Sequence, residues 1–352
     1  MSVLLQAIWR RSLKRAMIAG GLEAAYVLAN LGVLRNARGH GAIFTLHHVR
    51  PHAPRIVEPN AHLEVTPEFL DQALGRLKAE SYDFIPLSEV PARLANPSER
   101  PFACFTLDDG YCNNADHALP VFERHGAPFT IFINEGFADR THTIWWETVA
   151  ALINQQDVIQ FDFGDGMEEI KLSCPKSKLN LFDRFVRFVQ HDCEAQAVKR
   201  LDDAARTYGI EPLAITEALT MDQARLRELA RNPLAALGAH TVSHRALMRL
   251  SAEDAAHEMR RSADWLEEVT GTRPTSLAYP YGTKAAVSDR DQHLAWELGF
   301  SVAVTTQPGT LNRASLERLT GLPRISLNGF YQEPRYVAAL ASGIPFAISR
   351  AA

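Results

Sequence analysis

The feature that most constrains the fold is a repeated alternation: short runs rich in β-branched and aromatic residues recur along the chain, separated by longer amphipathic stretches. The runs AIFTLHH (42–48), DFIPL (83–87), FACFTL (102–107), PFTIFI (128–133), LAALGAH (234–240), TSLAYP (275–280), FSVAVTT (300–306) and LPRISL (322–327) read as strands. Between them, VTPEFLDQALGRLKAESY, NADHALPVFERHG, LSAEDAAHEMRRSADWLEEVTG and the 285–298 segment have helical periodicity. A Thr-Pro start on the first and a Ser head and Gly end on the third mark helix boundaries. Strands that alternate with helices over this length predict a parallel α/β barrel or a doubly wound sheet.

One region breaks the rhythm. Residues 140–232 are mostly helical and charged, with VIQFDFGDGMEEIKLSC (158–174) patterned as a hairpin, and they read as an insertion between two core strands. Residues 1–40 are set apart differently, by basic flanks around a fairly apolar centre. Glu23, Asn30 and two glycines interrupt that centre and no small-residue cleavage site follows, so it reads as a peripheral helical extension. Such an extension packs on the body or touches an anionic membrane surface. The expected organisation is an extension over 1–40 and a barrel domain over 41–345, with 140–232 placed to cap its open end.

Charge and cysteine usage exclude several classes. A formal charge of −4 argues against a broad nucleic-acid-binding face, which needs clustered Lys and Arg. The four cysteines, Cys104, Cys112, Cys174 and Cys193, form no CxxC pair, so neither a zinc knuckle nor a disulfide framework is indicated. Reduced thiols and the lack of a secretion signal suit a cytoplasmic protein.

Parallel barrels assemble their sites at the C-terminal ends of strands, and several polar groups fall there. Asp108 and Asp109 follow FACFT, His240 and His244 follow LAALGA, His47 and His48 close the first strand, Pro280, Tyr281 and Gly282 follow SLAY, and Arg324 lies in the last strand. The i, i+4 spacing of His240 and His244 would put both imidazoles on one side of a helical turn, which suits a divalent metal; a surface pair at a helix start is the plainer reading. Asp109 can complete a His2Asp set with an open position for water. Asp-Gly is also a frequent turn dipeptide, and Asp a frequent helix cap. At a strand end, however, neighbouring side chains point in different directions, so one carboxylate can hold a metal while the other takes a proton from water.

TLDDGY resembles the first motif of the polysaccharide deacetylases, the NodB-homology or carbohydrate esterase 4 group; HTVSH resembles their paired-histidine motif and YPYG their third. FTLHHV, GFSVAVTTQPG and LPRISL agree with the flanking strands of one branch, and the resemblance covers roughly 41–330 outside the insertion. It implies a distorted (β/α) barrel of about seven strands and a hydrolase acting on carbon–nitrogen bonds other than peptide bonds. The substrate would be an N-acetylated sugar of a polysaccharide, oligosaccharide or lipid-linked precursor. Asp109, His240 and His244 would bind the metal, zinc by preference, and Asp108 would be the general base. The oxyanion would be held by the metal and a backbone N–H near Tyr281.

Two departures from the family pattern stand out. Ala278 occupies the place of the arginine that braces the base, for which Arg324 is the candidate replacement, and no histidine follows His293 to act as the general acid. His47 is the candidate for that role, with His48 facing away on an alternating strand. Trp145 and Trp146 are read either as stacking on sugar rings or as anchoring the insertion, and the Tyr281 ring as a sugar wall or a core aromatic. His125, His191, His257 and His293 read as solvated or structural. O-deacetylation, and a carbohydrate-binding protein without catalysis, are the rival readings.

Overall fold

In the computed structural model, which describes residues 3–191 and 193–351, seven parallel strands close into a barrel. We number them β1 (Gly41–Leu46), β2 (Phe102–Leu107), β3 (Phe129–Ile133), β4 (Ala235–Ala239), β5 (Ser276–Ala278), β6 (Val302–Pro308) and β7 (Leu322–Ser326). Each pairs with the next in the chain, and β7 pairs with β1 to complete the ring. This is the distorted (β/α) barrel that the alternating pattern and the family resemblance imply. The DFIPL run differs: only Asp83–Phe84 forms a strand, paired to the outer start of β2 and outside the ring.

Every residue of β1 and β2 is buried, because a parallel barrel is covered by helices on one side and filled by its own side chains on the other. Period-2 alternation divides the two sides. Ala42, Phe44, Leu46, Ala103, Phe105 and Leu107 pack outward, with Leu70 and Leu74 of the Pro67–Ala79 helix among their neighbours. Ile43 and Cys104 point inward and share a cluster with Phe132, Ala278 and Val304. Continuing that inward row along β2 leads through Thr106 to Asp108.

The segment after β3 holds the helices Trp145–Gln155, Pro175–Val189, Glu194–Thr207 and Pro212–Leu219 and an antiparallel hairpin, Val158–Asp162 with Met167–Lys171. It builds its own apolar cluster around Leu152, Phe161, Phe185 and Leu201, and that cluster runs on into Tyr111 and Phe137 beside the barrel mouth. The Val3–Asn30 helix packs through Leu22 and Ala25 on Tyr336 and Ala339 of the Pro334–Ala341 helix. No helix among the described residues is long and apolar enough to cross a membrane.

Candidate active site

Strand register sets the heights of the site residues. Leu46 pairs with Leu107, so the next residues, His47 and Asp108, emerge level with one another, and His47 Nε2 lies 3.9 Å from Asp108 Oδ2. Ile133 pairs with Ala239 and Ala239 with Leu277, which brings Asn134, His240 and Ala278 to one level. Two hydrogen bonds follow from that alignment: Asn134 Nδ2 donates to the His240 carbonyl at 3.0 Å, and His240 Nδ1 donates to the Ala278 carbonyl at 2.7 Å.

The second bond fixes the imidazole. With Nδ1 carrying the proton, His240 Nε2 keeps its lone pair and faces Asp109 Oδ1 at 3.4 Å. His244 Nε2 faces the same oxygen at 3.3 Å. Asp109, His240 and His244 are all buried, and their ligand atoms lie within 4.8 Å of one another. Asp109 Oδ1 has no hydrogen-bond partner among the described residues, an expensive arrangement for a buried acceptor. The donor set, one carboxylate and two imidazoles, fits a divalent cation. The separations match the edge of a tetrahedron with bonds of about 2.0–2.1 Å, which is about 3.4 Å.

The two histidines do not converge through a helical turn, contrary to their i, i+4 spacing. Residues 240–246 form a loop, in which Thr241 (φ 63°) and His244 (φ 57°) both take left-handed backbone angles. For a β-branched threonine that conformation is strained, and the surroundings hold it in place. Asn134 Nδ2 and the Glu135 N–H donate to the Thr241 carbonyl, and Glu258 Oε2 accepts from the N–H groups of Val242 and Ser243. Asp109 (φ 72°) and Gly110 (φ 70°) form a similar turn after β2. Two successive left-handed residues explain the Asp-Gly order there, since aspartate tolerates the conformation and glycine has no Cβ to oppose it.

Arg324 reaches Asp108 from β7, with Nη1 and Nη2 donating to Asp108 Oδ1 and Oδ2 at 2.7 Å each. Its Nε donates to the Thr305 carbonyl and Nη1 also to Thr106 Oγ1, so the fork is held on three sides. Burial pushes the Asp108 carboxyl up, but the Arg324 charge and hydrogen bonds outweigh it and hold the group below its ordinary range. Burial pulls His47 down despite the opposing charges of Asp108 and Asp109.

Tyr281 also has left-handed angles (φ 59°), and the following Gly282 lies so close to β6 that a Cβ would meet Thr306 N at 2.4 Å. The Gly282 N–H is taken by the Pro280 carbonyl, which leaves Tyr281 N–H as the other donor of that turn. The Tyr281 hydroxyl donates to Glu194 Oε1 at 2.6 Å and accepts from Trp145 Nε1 at 2.9 Å. Trp146 Nε1 donates to the Tyr111 hydroxyl. Both tryptophans are therefore buried anchors between the inserted helices and the barrel, although they also line the mouth. His48 is fully buried against Tyr111, ring centroids 3.6 Å apart, and turns away from Asp108.

Glu194 and Glu258 escaped the reading of the sequence. Glu194 Oε2 accepts from the Ala246 N–H while its other oxygen holds Tyr281, so a helix of the inserted segment braces both histidine loop and third motif. Each is a single acidic residue at or within an ordinary amphipathic helix, and only the folded contacts distinguish it.

A cavity of about 1220 Å³ opens over these groups and is lined by His47, Asp108, Asp109, His240, His244 and Tyr281. A polysaccharide deacetylase family model matches residues 194–303, just under a third of the chain, a stretch that carries HTVSH and YPYG. No curated protein sequence matches. Among solved structures the chain resembles a Streptococcus pyogenes deacetylase, PplD, in complex with acetate (TM-score 0.50, 20% identity, 82% of this chain and 92% of that one). IcaB from Ammonifex degensii superposes with a TM-score of 0.55 at 17% identity, over 86% and 98% of the two chains. BC0361, a polysaccharide deacetylase from Bacillus cereus, does so at 0.52 and 14%, over 85% and 68%.

Proposed function

We propose that the chain is a polysaccharide deacetylase, a metal-dependent hydrolase removing acetyl groups from N-acetylated sugars. The observation that carries this reading is the pairing of two arrangements in one buried mouth: Asp109, His240 and His244 around an unpartnered carboxylate oxygen, and Asp108 gripped by Arg324 beside them.

Asp109, His240 and His244 would hold the cation, with zinc favoured by two imidazoles and one carboxylate. A bound divalent ion lowers the pKa of its water and polarises a carbonyl oxygen. The protein's own groups account for the remaining steps. Asp108, oriented on both oxygens by Arg324, takes a proton from the attacking water as its oxygen bonds to the acetyl carbon. The Tyr281 N–H is the backbone donor available to the developing oxyanion. As the carbon–nitrogen bond breaks, the amine nitrogen needs a proton, and His47 is the donor candidate on the same level as the base. The proton that Asp108 takes from water supplies that imidazole, whose Nε2 lies 3.9 Å from Asp108 Oδ2, and the charges of Asp108 and Asp109 favour its protonation against the opposing effect of burial.

The complete ligand set and a braced base argue against a binding-only protein. An amide substrate, rather than an O-acetyl ester, is favoured by a histidine at the leaving-group position, because an amine leaves only when protonated. Unpaired Cys104, Cys112, Cys174 and Cys193 support action in a reducing, cytoplasmic compartment. The test is acetate release from a panel of N- and O-acetylated glycans with and without chelator. We expect N-acetyl turnover that chelation abolishes and zinc restores, and none from Asp108→Asn. Turnover indifferent to chelator, or confined to O-acetyl substrates, would overturn the reading.

A further inference from the structure

We propose that the protein docks on an anionic membrane through the outer face of its Val3–Asn30 helix. This helix is apolar on two opposite sides. One side, including Leu22 and Ala25, is buried on the C-terminal helices. On the other, Leu13, Met17, Gly20, Ala24, Val27 and Leu31 are all exposed. At about 3.6 residues per turn these six positions fall within about 40° of one line, and at about 1.5 Å per residue the stripe is about 27 Å long. Its large members stand well out of the protein, with Met17 68%, Val27 54% and Leu31 72% accessible. Val33 and Leu34, just beyond the helix, and Ile348 of the C-terminal helix packed beside it are exposed as well.

Charge identifies the occupant. Arg10, Arg11, Lys14 and Arg15 are basic, and no acidic residue precedes Glu23. Glu23 itself is engaged by Arg335 and the Tyr336 hydroxyl. An apolar stripe about 27 Å long, with Lys14 exposed on its flank and a basic run in the sequence at its start, is the pattern of a helix lying in the plane of a bilayer interface. A second copy of this chain packed helix to helix would oppose the same positive run. The overall charge of −4 makes the local concentration of positive charge more telling, because attraction to an anionic surface must come from this end of the molecule.

The docked helix also determines what the mouth faces. Lys14, Arg15 and Ile18 border the catalytic cavity, and Arg15 is held over the Phe330 ring with 3.6 Å between its guanidinium carbon and the centroid. Away from the charged centre, the cavity wall carries Ile56, Leu179, Phe182 and Val186. A sugar carried by a membrane lipid, with an anionic linkage near Lys14 and Arg15, would enter from the bilayer side; this consequence rests on the deacetylase reading, whereas the docking does not.

The test is co-sedimentation of the full chain with vesicles of phosphatidylcholine alone and of equal parts phosphatidylcholine and phosphatidylglycerol. We expect binding to the anionic vesicles that weakens with added salt. Lys14→Ala should weaken it about fivefold, and a Met17→Glu, Val27→Glu double variant by at least about tenfold. Thermal unfolding of these surface variants should match the parent, which separates lost docking from lost folding. No binding to anionic vesicles, binding the double variant retains, or a parent dimer that the double variant dissolves would each overturn the proposal. None of these outcomes depends on catalysis.

Discussion

Arg324 and Asp108 form the most consequential residue pair in the molecule, since both side chains are almost wholly buried and each neutralises the other. Removing one partner leaves an uncompensated charge inside the barrel. We expect Arg324→Ala to cost about 3–5 kcal/mol of stability, read from urea unfolding. Arg324→Lys keeps the charge but not the paired donors, so it should fold better while deacetylation falls about a hundredfold. A second buried carboxylate makes a pH prediction. Asp202 in the inserted helices accepts one hydrogen bond from Thr143, and burial pushes its carboxyl up to about 6 despite that bond. A raised folded-state pKa means the folded chain holds the proton more tightly. The associated stability is therefore full below the unfolded value and is lost as pH rises through about 6. Asp202→Asn should remove that loss, gaining on the order of 2 kcal/mol relative to the parent at about pH 8 and little at about pH 4. Equal differences at both pH values would contradict it.

At the scale of elements, the inserted helices do more than cover the mouth. Through Glu194 they grip the Ala246 N–H at the end of the histidine loop and the Tyr281 hydroxyl on the neighbouring loop. Groups that orient ligands without touching the metal typically matter by about ten- to a hundredfold in affinity. Glu194→Ala should therefore weaken zinc binding by about tenfold, measured by competition with a chromophoric chelator, whereas Glu211→Ala, an exposed acidic residue in the same segment, should leave it unchanged. The loop over 240–246 shows why this brace was not legible in the sequence. The spacing of His240 and His244 suggests a helix, but the two imidazoles converge through strained left-handed residues held by Asn134, Glu135 and Glu258, none of which is a sequence neighbour.

For the whole molecule, a metal held by Asp109, His240 and His244 would be thermodynamically linked to the fold. A cation that binds only the folded barrel stabilises it according to its concentration relative to Kd, by about 2.7 kcal/mol at a hundredfold excess. Zinc should raise the unfolding midpoint of the parent, and Asp109→Asn should abolish the rise; an equal rise in the variant would place the cation elsewhere. The same closed barrel explains why seven strands were readable. Burial on both sides makes them continuous apolar runs, and their parallel order demands helices between them. DFIPL has the same composition but pairs only through Asp83–Phe84, because the ring is already complete and β2 has just the start of one edge to offer.

Local chemistry determined what was legible from the chain alone: the alternation of strands with helices, the carboxylates and imidazoles at the strand ends, and the fairly apolar N-terminal stretch with its basic flanks. These depend on residue type and short spacing. Tertiary structure decided the rest, because it required atoms far apart in sequence to meet at angstrom precision. Register set His47 level with Asp108. Closure of β7 onto β1 brought Arg324 within reach of Asp108, and the fold of residues 140–232 placed Glu194 against Ala246 and Tyr281. A hydrogen bond decays over a fraction of an ångström, so no pattern of residue types can specify it until the backbone has closed.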